Sequence, residues 1–305
     1  MQNRICAKIT AILSVIAIIV SFASFSAAYA QDRLATLTLI CRKENTILTG
    51  MKWRIYYIGT PSGNTLPLTG EFASYPVHVD LSSTDSISTA ASTLENIAII
   101  DNLTPLYSGR IDTEGNVVFS NLDSGYYMVS GDVFNIDEVF YQPTPALIEI
   151  NTDEGQTDFN MVVYPKIKYA LLSDMDLNQS VKKIWNDNRD FHEPIDVKLY
   201  KNSQLFDTVT LNEENQWTYN WQSEGYAQWR VMEANIPEHY TVNYQSDNGK
   251  HVIENFSDYV EETTVTNPPA KLPQTGQLWW PVIVLGIAGI VLIILGVRLK
   301  KHKTE

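Results

Sequence analysis

Short runs in which apolar and polar residues alternate recur along most of the chain: "ATLTLIC", "KWRIYYIG", "NVVFSN", "YYMVSG" and "FNMVVYP", then "VKKIW", "IDVKLY", "DTVTL", "WTYNW", "WRVME", "YTVNY", "HVIENF" and "TTVTN". They are rich in Val, Ile, Thr, Tyr and Trp and are separated by turn residues. A period of two places successive side chains on opposite faces, so each run reads as a strand with one face buried, and their regular spacing predicts antiparallel β-sandwiches. One stretch departs from the pattern. Between Thr84 and Ile100 turn residues are few, and Ile87, Ala91, Leu94 and Ala98 fall at helical intervals, which predicts one short helix inserted among the strands.

Two further apolar runs lie at the ends. Arg4 and Lys8 precede a run from Ile9 to about Phe25, and "AAYA" then supplies the small Ala28 and Ala30 before Gln31. This is the layout of a secretory signal peptide over residues 1–30; a second membrane anchor is the alternative, against which Thr10, Ser14, Ser21 and Ser24 dilute the run. At the other end Leu278–Val297 carries no charge and is followed by Arg298, Lys300, Lys301 and Lys303. About 20 apolar residues make a helix that can cross a bilayer, and the bases form the flank that stays cytoplasmic.

The 305-residue chain has a net charge of −13, yet both ends are basic, so the exported body carries all the excess acid. That argues against nucleic acid or anionic lipid as a partner through a basic patch. Removal of a signal peptide takes away Cys6 and leaves Cys41 alone, so no intramolecular disulfide can form. An exported chain without disulfides needs another source of durability. The remaining length suits two sandwich domains, with a boundary near 166–178, where "YPK" gives way to the acidic "SDMDLNQS".

Leu272, Pro273, Gln274, Thr275 and Gly276 read LPQTG. With the apolar span and basic tail behind it and a signal peptide at the far end, the segment resembles the LPxTG sorting signal of Gram-positive surface proteins. The resemblance implies that a sortase cysteine attacks the Thr275 carbonyl, releases Gly276 onward, and passes Thr275 to an amine on peptidoglycan or on another protein. The expected localisation is the cell surface, covalently attached to the wall, with only transient membrane anchoring.

In "VKKIW" the period of two puts Val181, Lys183 and Trp185 on one inward face, where a lysine is costly unless neutralised or paired; Lys182 points the other way. This resembles the opening strand of the collagen-adhesin (Cna) B-type domain. "WRVMEANIPEHY" is similar to that family's E-box, keeping Glu233, Pro237 and Tyr240 while Trp229, Val231, Ala234, Ile236 and His239 depart, and "TVTN" ending at Asn267 resembles its closing strand. The resemblance implies two tandem Ig-like antiparallel β-sandwich domains in an all-β protein. It also implies an isopeptide bond between Lys183 and Asn267, with Glu233 as proton shuttle. Burial disfavours charge, so Lys183 can become a nucleophile and Glu233 can hold a proton. Such a bond is worth about 4–5 kcal/mol on the loop-closure scale used for disulfides. An unreacted Lys–Glu ion pair in a similar fold is the alternative.

The expected organisation is thus 1–30 signal peptide, 31–168 pilin-like sandwich, 178–267 Cna B-type sandwich, 268–276 Pro-containing stem and sorting signal, 278–297 transmembrane helix and 298–305 basic tail. The first domain resembles a pilin domain that has lost the bond: Cys41 and Arg42 stand where Lys is expected, Gly131 where Glu is expected, and Tyr164 at the Asn position. "VYPK", Val163 to Lys166, resembles the end of the pilin motif WxxxVxVYPK, although Thr157 and Met161 stand for its Trp and first Val. That resemblance implies that a pilin sortase joins Lys166 to the neighbouring subunit; a solvated surface lysine is the alternative.

Enzymatic signatures are lacking. The histidines form no HExxH pair, there is no GxSxG or phosphate loop, and the acidic turn from Asp174 has Gln179 and Trp185 where a calcium loop needs Gly and Glu. No metal or cofactor is expected. The first functional reading is a basal or minor pilus subunit, with sortase, peptidoglycan and a backbone pilin as partners; the second is a monomeric wall-anchored adhesin that grips a host or matrix ligand, and a backbone pilin is a further alternative.

Overall fold

The computed structural model describes residues 34–43, 46–152 and 159–257. The first group of strands comprises β1 (Ala35–Ile40), β2 (Arg42–Lys43), β3 (Thr46–Ile47), β4 (Lys52–Gly59), β5 (Tyr107–Arg110), β6 (Asn116–Leu122), β7 (Gly125–Gly131), β8 (Phe134–Ile136), β9 (Val139–Pro143), β10 (Ala146–Ile150), β11 (Asn160–Val163) and β12 (Ile167–Leu171). The second comprises β13 (Asn178–Asn186), β14 (Ile195–Lys201), β15 (Gln204–Leu211), β16 (Thr218–Gln222), β17 (Trp229–Glu233), β18 (Tyr240–Asp247) and β19 (Lys250–Ser257). Helix α1 (Thr84–Ile100) lies between β4 and β5 in sequence.

In the first sandwich the sheet β11-β1-β6 faces the sheet β10-β7-β4-β5. Leu37, Leu39, Trp53, Ile55, Phe119 and Tyr127 fill the space between them. A small sheet, β12-β9-β8, and the β2–β3 ladder complete it. Because β12 pairs with β9, this sandwich runs to Leu171. The second sandwich faces β16-β13-β19-β18 with β15-β14-β17.

The expectation of purely antiparallel sheets needs correction in both sandwiches. The first strand pairs in parallel with one late in its sandwich, β1 with β11 and β13 with β19. Strands so far apart in sequence are not bound to the hairpin geometry that makes neighbours antiparallel. In the second sandwich this parallel pair brings the two ends of the domain side by side.

Helix α1 has 17 residues, with the bounds expected from the sequence. The Ser83 hydroxyl caps it by accepting from the Ser86 N–H at 3.1 Å, and Asp85 favours the positive end of the helix dipole. It ends where Asn102 takes a left-handed φ of 51° and the Leu103 N–H returns to the Ala98 carbonyl at 2.9 Å, a Schellman-type closure.

The helix lies between the two sandwiches. One side packs on β10 and β7, the other on β18 and β17. Strand β4 explains the first contact: Trp53 and Ile55 face the first core, while Tyr56 and Ile58 face the other way and are buried with Leu94 and Ile97 of the helix. The same apolar cluster continues into Val197, Leu199, Val231, Val242 and Tyr244 of the second sandwich. The tandem arrangement expected from the sequence is therefore closed into one compact unit.

The segment before the helix strengthens this joint. Val77 forms a parallel bridge with Val242, and the Val242 N–H donates to the Pro76 carbonyl at 2.7 Å. His78 stacks on Phe256 with ring centroids 4.2 Å apart. Lys168 pairs with Asp247 at 2.6 Å, and Phe140 meets Tyr226 edge-on at 4.7 Å.

Leu94→Ala opens a cavity in the cluster drawn from both sandwiches, and truncation of a fully buried leucine costs about 2–5 kcal/mol. The expected outcome in urea is a single unfolding transition for both sandwiches, shifted to lower denaturant in the variant. Two separate transitions in the wild type, followed by calorimetry and tryptophan fluorescence, would show that the helix does not couple them.

Candidate functional site

Strand β13 follows the alternation read from its sequence. Val181 and Lys183 are buried, Lys182 is exposed, and Trp185 packs against the core. Lys183 is 2% exposed, and its Nζ lies 4.1 Å from the centroid of the Trp185 ring. From the facing sheet β17 alternates in step, burying Trp229, Val231 and Glu233. Lys183 Nζ and Glu233 Oε2 are 3.6 Å apart, with both side chains fully out of solvent.

A third side chain joins them. Asn255, fully buried on β19, donates through Nδ2 to Glu233 Oε1 at 3.2 Å. In the parallel register Lys183 pairs with Ile253 and Trp185 with Asn255, so Asn255 sits one inward position beyond Lys183 on the neighbouring strand. The amine and the amide thus come from one sheet and the carboxyl from the other. Within the described residues, Glu233 Oε2 and Asn255 Oδ1 are buried without a hydrogen-bond partner, an arrangement that costs about 1–3 kcal/mol per group.

Among the described residues, the amide nearest this pair is not the one read from the sequence. Asn267 lies outside the described residues, and the strand paired with β13 is β19, so Asn255 is the amide brought to Lys183 and Glu233. The signal was present in "HVIENF": the alternation that buries His251 and Ile253 also turns Asn255 inward.

Burial pushes the Lys183 amine well below its usual range, with Glu233 pulling the other way. Burial likewise raises the Glu233 carboxyl, opposed by Lys183 and by the hydrogen bond from Asn255. In a core this dry, a neutral amine beside a neutral acid competes with the ion pair. A neutral amine is a nucleophile, and a protonated carboxyl can donate to an amide oxygen.

The E-box tyrosine covers this site. The Tyr240 hydroxyl donates to Asp187, its ring meets Trp185 edge-on at 5.3 Å, and His192 stacks on the opposite part of the cluster, 4.2 Å from Trp185, with Nε2 3.0 Å from Asp187.

No comparable triad forms at the corresponding positions of the first sandwich. Cys41 is buried as a core residue, its thiol pushed up to about 12 by burial. Arg42 is exposed and donates to the Glu114 carbonyl at 3.1 Å. Gly131 pairs with Trp53, and a Cβ there would lie 2.9 Å from Trp53 Cε2 and 2.7 Å from Pro143 Cγ, so the indole fills the space an acid would need. Tyr164 is 73% exposed.

Lys166 is exposed at the junction of β11 and β12, and its carbonyl accepts from the Thr144 N–H at 2.8 Å. It stands on the wall of a cleft of about 390 Å³ between the sandwiches, opposite Tyr226 and Gln228. The signal peptide, the sorting residues Leu272, Pro273, Gln274, Thr275 and Gly276, and the span 278–297 lie outside the described residues. Among the described residues no helix is long and apolar enough to cross a membrane, and no cluster of His, Cys, Asp and Glu is suited to a metal ion.

The fold and buried Lys–Glu–Asn group define an Ig-like sandwich with a candidate cross-linking site. Residues 179–256 match the family described as Cna protein B-type domain. No curated protein matched the chain. Among solved structures, the chain is similar to a single B repeat unit of the collagen-binding surface protein of Staphylococcus aureus, with 15% identity over 74% of this chain and 98% of that one and a TM-score of 0.25. It is also similar to the shaft pilin SpaA of Lactobacillus rhamnosus GG, with 11% identity over 75% and 99% and a TM-score of 0.27. A further match is the major pilin SpaD of Corynebacterium diphtheriae, with 13% identity over 73% and 64% and a TM-score of 0.26.

His251, on β19 within this strand pair, is expected to make the domain acid-sensitive. Its ring is 4% exposed, bonded to Ser246 Oγ at 2.7 Å and Gln179 Oε1 at 3.3 Å; burial, then the charge of Arg230, lowers its pKa to about 4. The folded state therefore resists protonation that the unfolded chain accepts near pH 6.5, so stability is lost as pH falls from about 6.5 to about 4, by about 3 kcal/mol in total. Urea denaturation at pH 7 and pH 4.5 is expected to show a smaller acid-induced loss in His251→Gln than in the wild type.

Proposed function

We propose that this chain is a cell-surface structural protein whose second sandwich is locked by an isopeptide bond between Lys183 and Asn255. The observation that carries this reading is the convergence of Lys183, Glu233 and Asn255 in a core without solvent. Neutral Lys183 Nζ attacks Asn255 Cγ, while Glu233, already in contact with Asn255 Nδ2, stands where it can relay a proton to that nitrogen. The Nζ–Cγ bond forms and the Cγ–Nδ2 bond breaks. A proton passes from Nζ through the Glu233 carboxyl to Nδ2, which leaves as ammonia, so the carboxyl is regenerated and no external reagent is consumed. Fixed proximity replaces an outside catalyst.

Intact mass is the direct test. The exported chain, residues 31–275, is expected to be one ammonia lighter than its sequence mass, and Lys183→Ala, Asn255→Ala and Glu233→Ala to retain full mass. Loss of ammonia in Asn255→Ala but not in Asn267→Ala would return the bond to the partner read from the sequence.

The wider role follows from the ends of the chain. LPQTG at 272–276, the apolar span and the basic tail support attachment of Thr275 to peptidoglycan by a sortase, with the chain as substrate and not as enzyme. The exposed Lys166 in VYPK supports a basal or minor pilus subunit that accepts a backbone pilin. Under denaturing conditions, wall material released from wild-type cells is expected to give a ladder on immunoblot that collapses to one band in Lys166→Ala. A single band in both strains would favour the monomeric adhesin, with the cleft between the sandwiches as the first surface to test for a host ligand.

A further inference from the structure

The polar residues of helix α1 are in an unusual place. Thr93 is fully buried and Asn96 is 5% exposed, on the helix face turned toward the second sandwich. A buried polar group costs stability unless it is paired, and alanine or leucine would fill a helix–sheet contact without that cost. Both are paired with backbone of the second sandwich. Asn96 Nδ2 donates to the Val231 carbonyl at 2.8 Å, and Thr93 Oγ1 accepts from the Tyr244 N–H at 2.8 Å while donating to the Thr89 carbonyl at 2.9 Å.

These two contacts reach opposite sheets. Val231 lies on β17, the edge of β15-β14-β17, and Tyr244 lies on β18, the edge of β16-β13-β19-β18. One helix turn therefore staples the open side of the sandwich, where the carboxyl of one sheet must meet the amine and amide of the other. Both contacts lead to the reacting group by short routes. Val231 and Glu233 are successive buried positions of β17. The Tyr244 hydroxyl accepts from the Glu233 N–H at 3.3 Å, and β18 carries the pairs Tyr244 with Ile253 and Val242 with Asn255. The neighbouring Glu95 holds Arg230 at 3.6 Å and accepts from Ser130 of the first sandwich at 2.6 Å, fixing the helix from both sides.

We propose that Thr93 and Asn96 are positioning residues for the Lys183–Asn255 reaction, so that the first sandwich acts as an intramolecular template on which the second becomes cross-linked. This rests on the isopeptide reading above. The physical basis is the steep dependence of such a reaction on geometry: a displacement of about 1 Å between fixed groups costs about a hundredfold in rate. The spacing of the two sheets at this edge sets the distance from Glu233 to the amine and amide.

The test follows ammonia loss by intact mass in residues 31–275 made by cell-free synthesis. Asn96→Leu and Thr93→Val keep volume but remove the hydrogen bonds; both are expected to slow bond formation by about tenfold to a hundredfold. Thr93→Ser restores the hydroxyl and is expected to restore the rate, an outcome that a simple packing role for Thr93 does not produce. Wild type held in enough urea to match each variant's stability controls for destabilisation, and Lys168→Ala, which cuts a different contact between the sandwiches, is expected to react at the wild-type rate. Wild-type rates in Asn96→Leu and Thr93→Val, or slowing fully matched by the urea control, would overturn the positioning role while leaving the bond intact. No ammonia loss in the wild type itself would instead overturn the isopeptide reading, and the positioning role with it.

Discussion

A primary amine in a core without water must either give up its proton or find a counter-charge, and Lys183 is surrounded by the means for both. Glu233 stands near enough to form an ion pair, yet it is as deeply buried and as reluctant to ionise. Much of the second sandwich is organised around this conflict. The parallel pairing of β13 with β19 sets the amide beside the amine, the facing strand β17 delivers the carboxyl, and Trp185, Tyr240 and His192 seal the group from solvent. Left unreacted, two buried polar atoms lack partners among the described residues. Condensation would remove the charge conflict outright, which makes the buried arrangement intelligible as a reactant state.

The joint between the sandwiches obeys a different logic. Linkers between domains usually run through solvent and leave each domain its own core. Here α1 gives its small and aliphatic residues to a cluster drawn from both sandwiches, so the helix is interior to the pair although it belongs to the first in sequence. Its Ala90, Ala91 and Ala98 permit close approach, while Leu94 and Ile97 supply apolar area.

Much of this was legible in the sequence. The alternation in "VKKIW" assigned Lys183 inward and Lys182 outward, because a strand's two faces are fixed by parity alone, and Glu233 followed from the resemblance to the E-box. The bounds Thr84–Ile100 of the helix followed from aliphatic spacing. What the sequence did not reveal depends on which strands pair. Asn255 and Asn267 both lie on runs that read as strands, and the register with β13 brings Asn255 to the site. Parallel pairing of first and last strands was invisible for the same reason. Thr93 and Asn96 read as ordinary polar positions of a helix because their partners are backbone groups more than a hundred residues away.

The place of Lys166, between β11 and β12, has a mechanical meaning if that lysine carries a neighbouring subunit and Thr275 the wall. Tension would enter at 166, run through β12 to Lys183, cross to Asn255 and leave toward the C-terminus. The loop from 184 to 254 would be shunted by the cross-link, and of the first sandwich only the sheet of β9, through its ladder with β12, would touch the load path. A pilus component wired in this way can keep one of its domains unstressed while the other bears the pull, leaving that domain's surface the same shape whether the fibre is slack or taut.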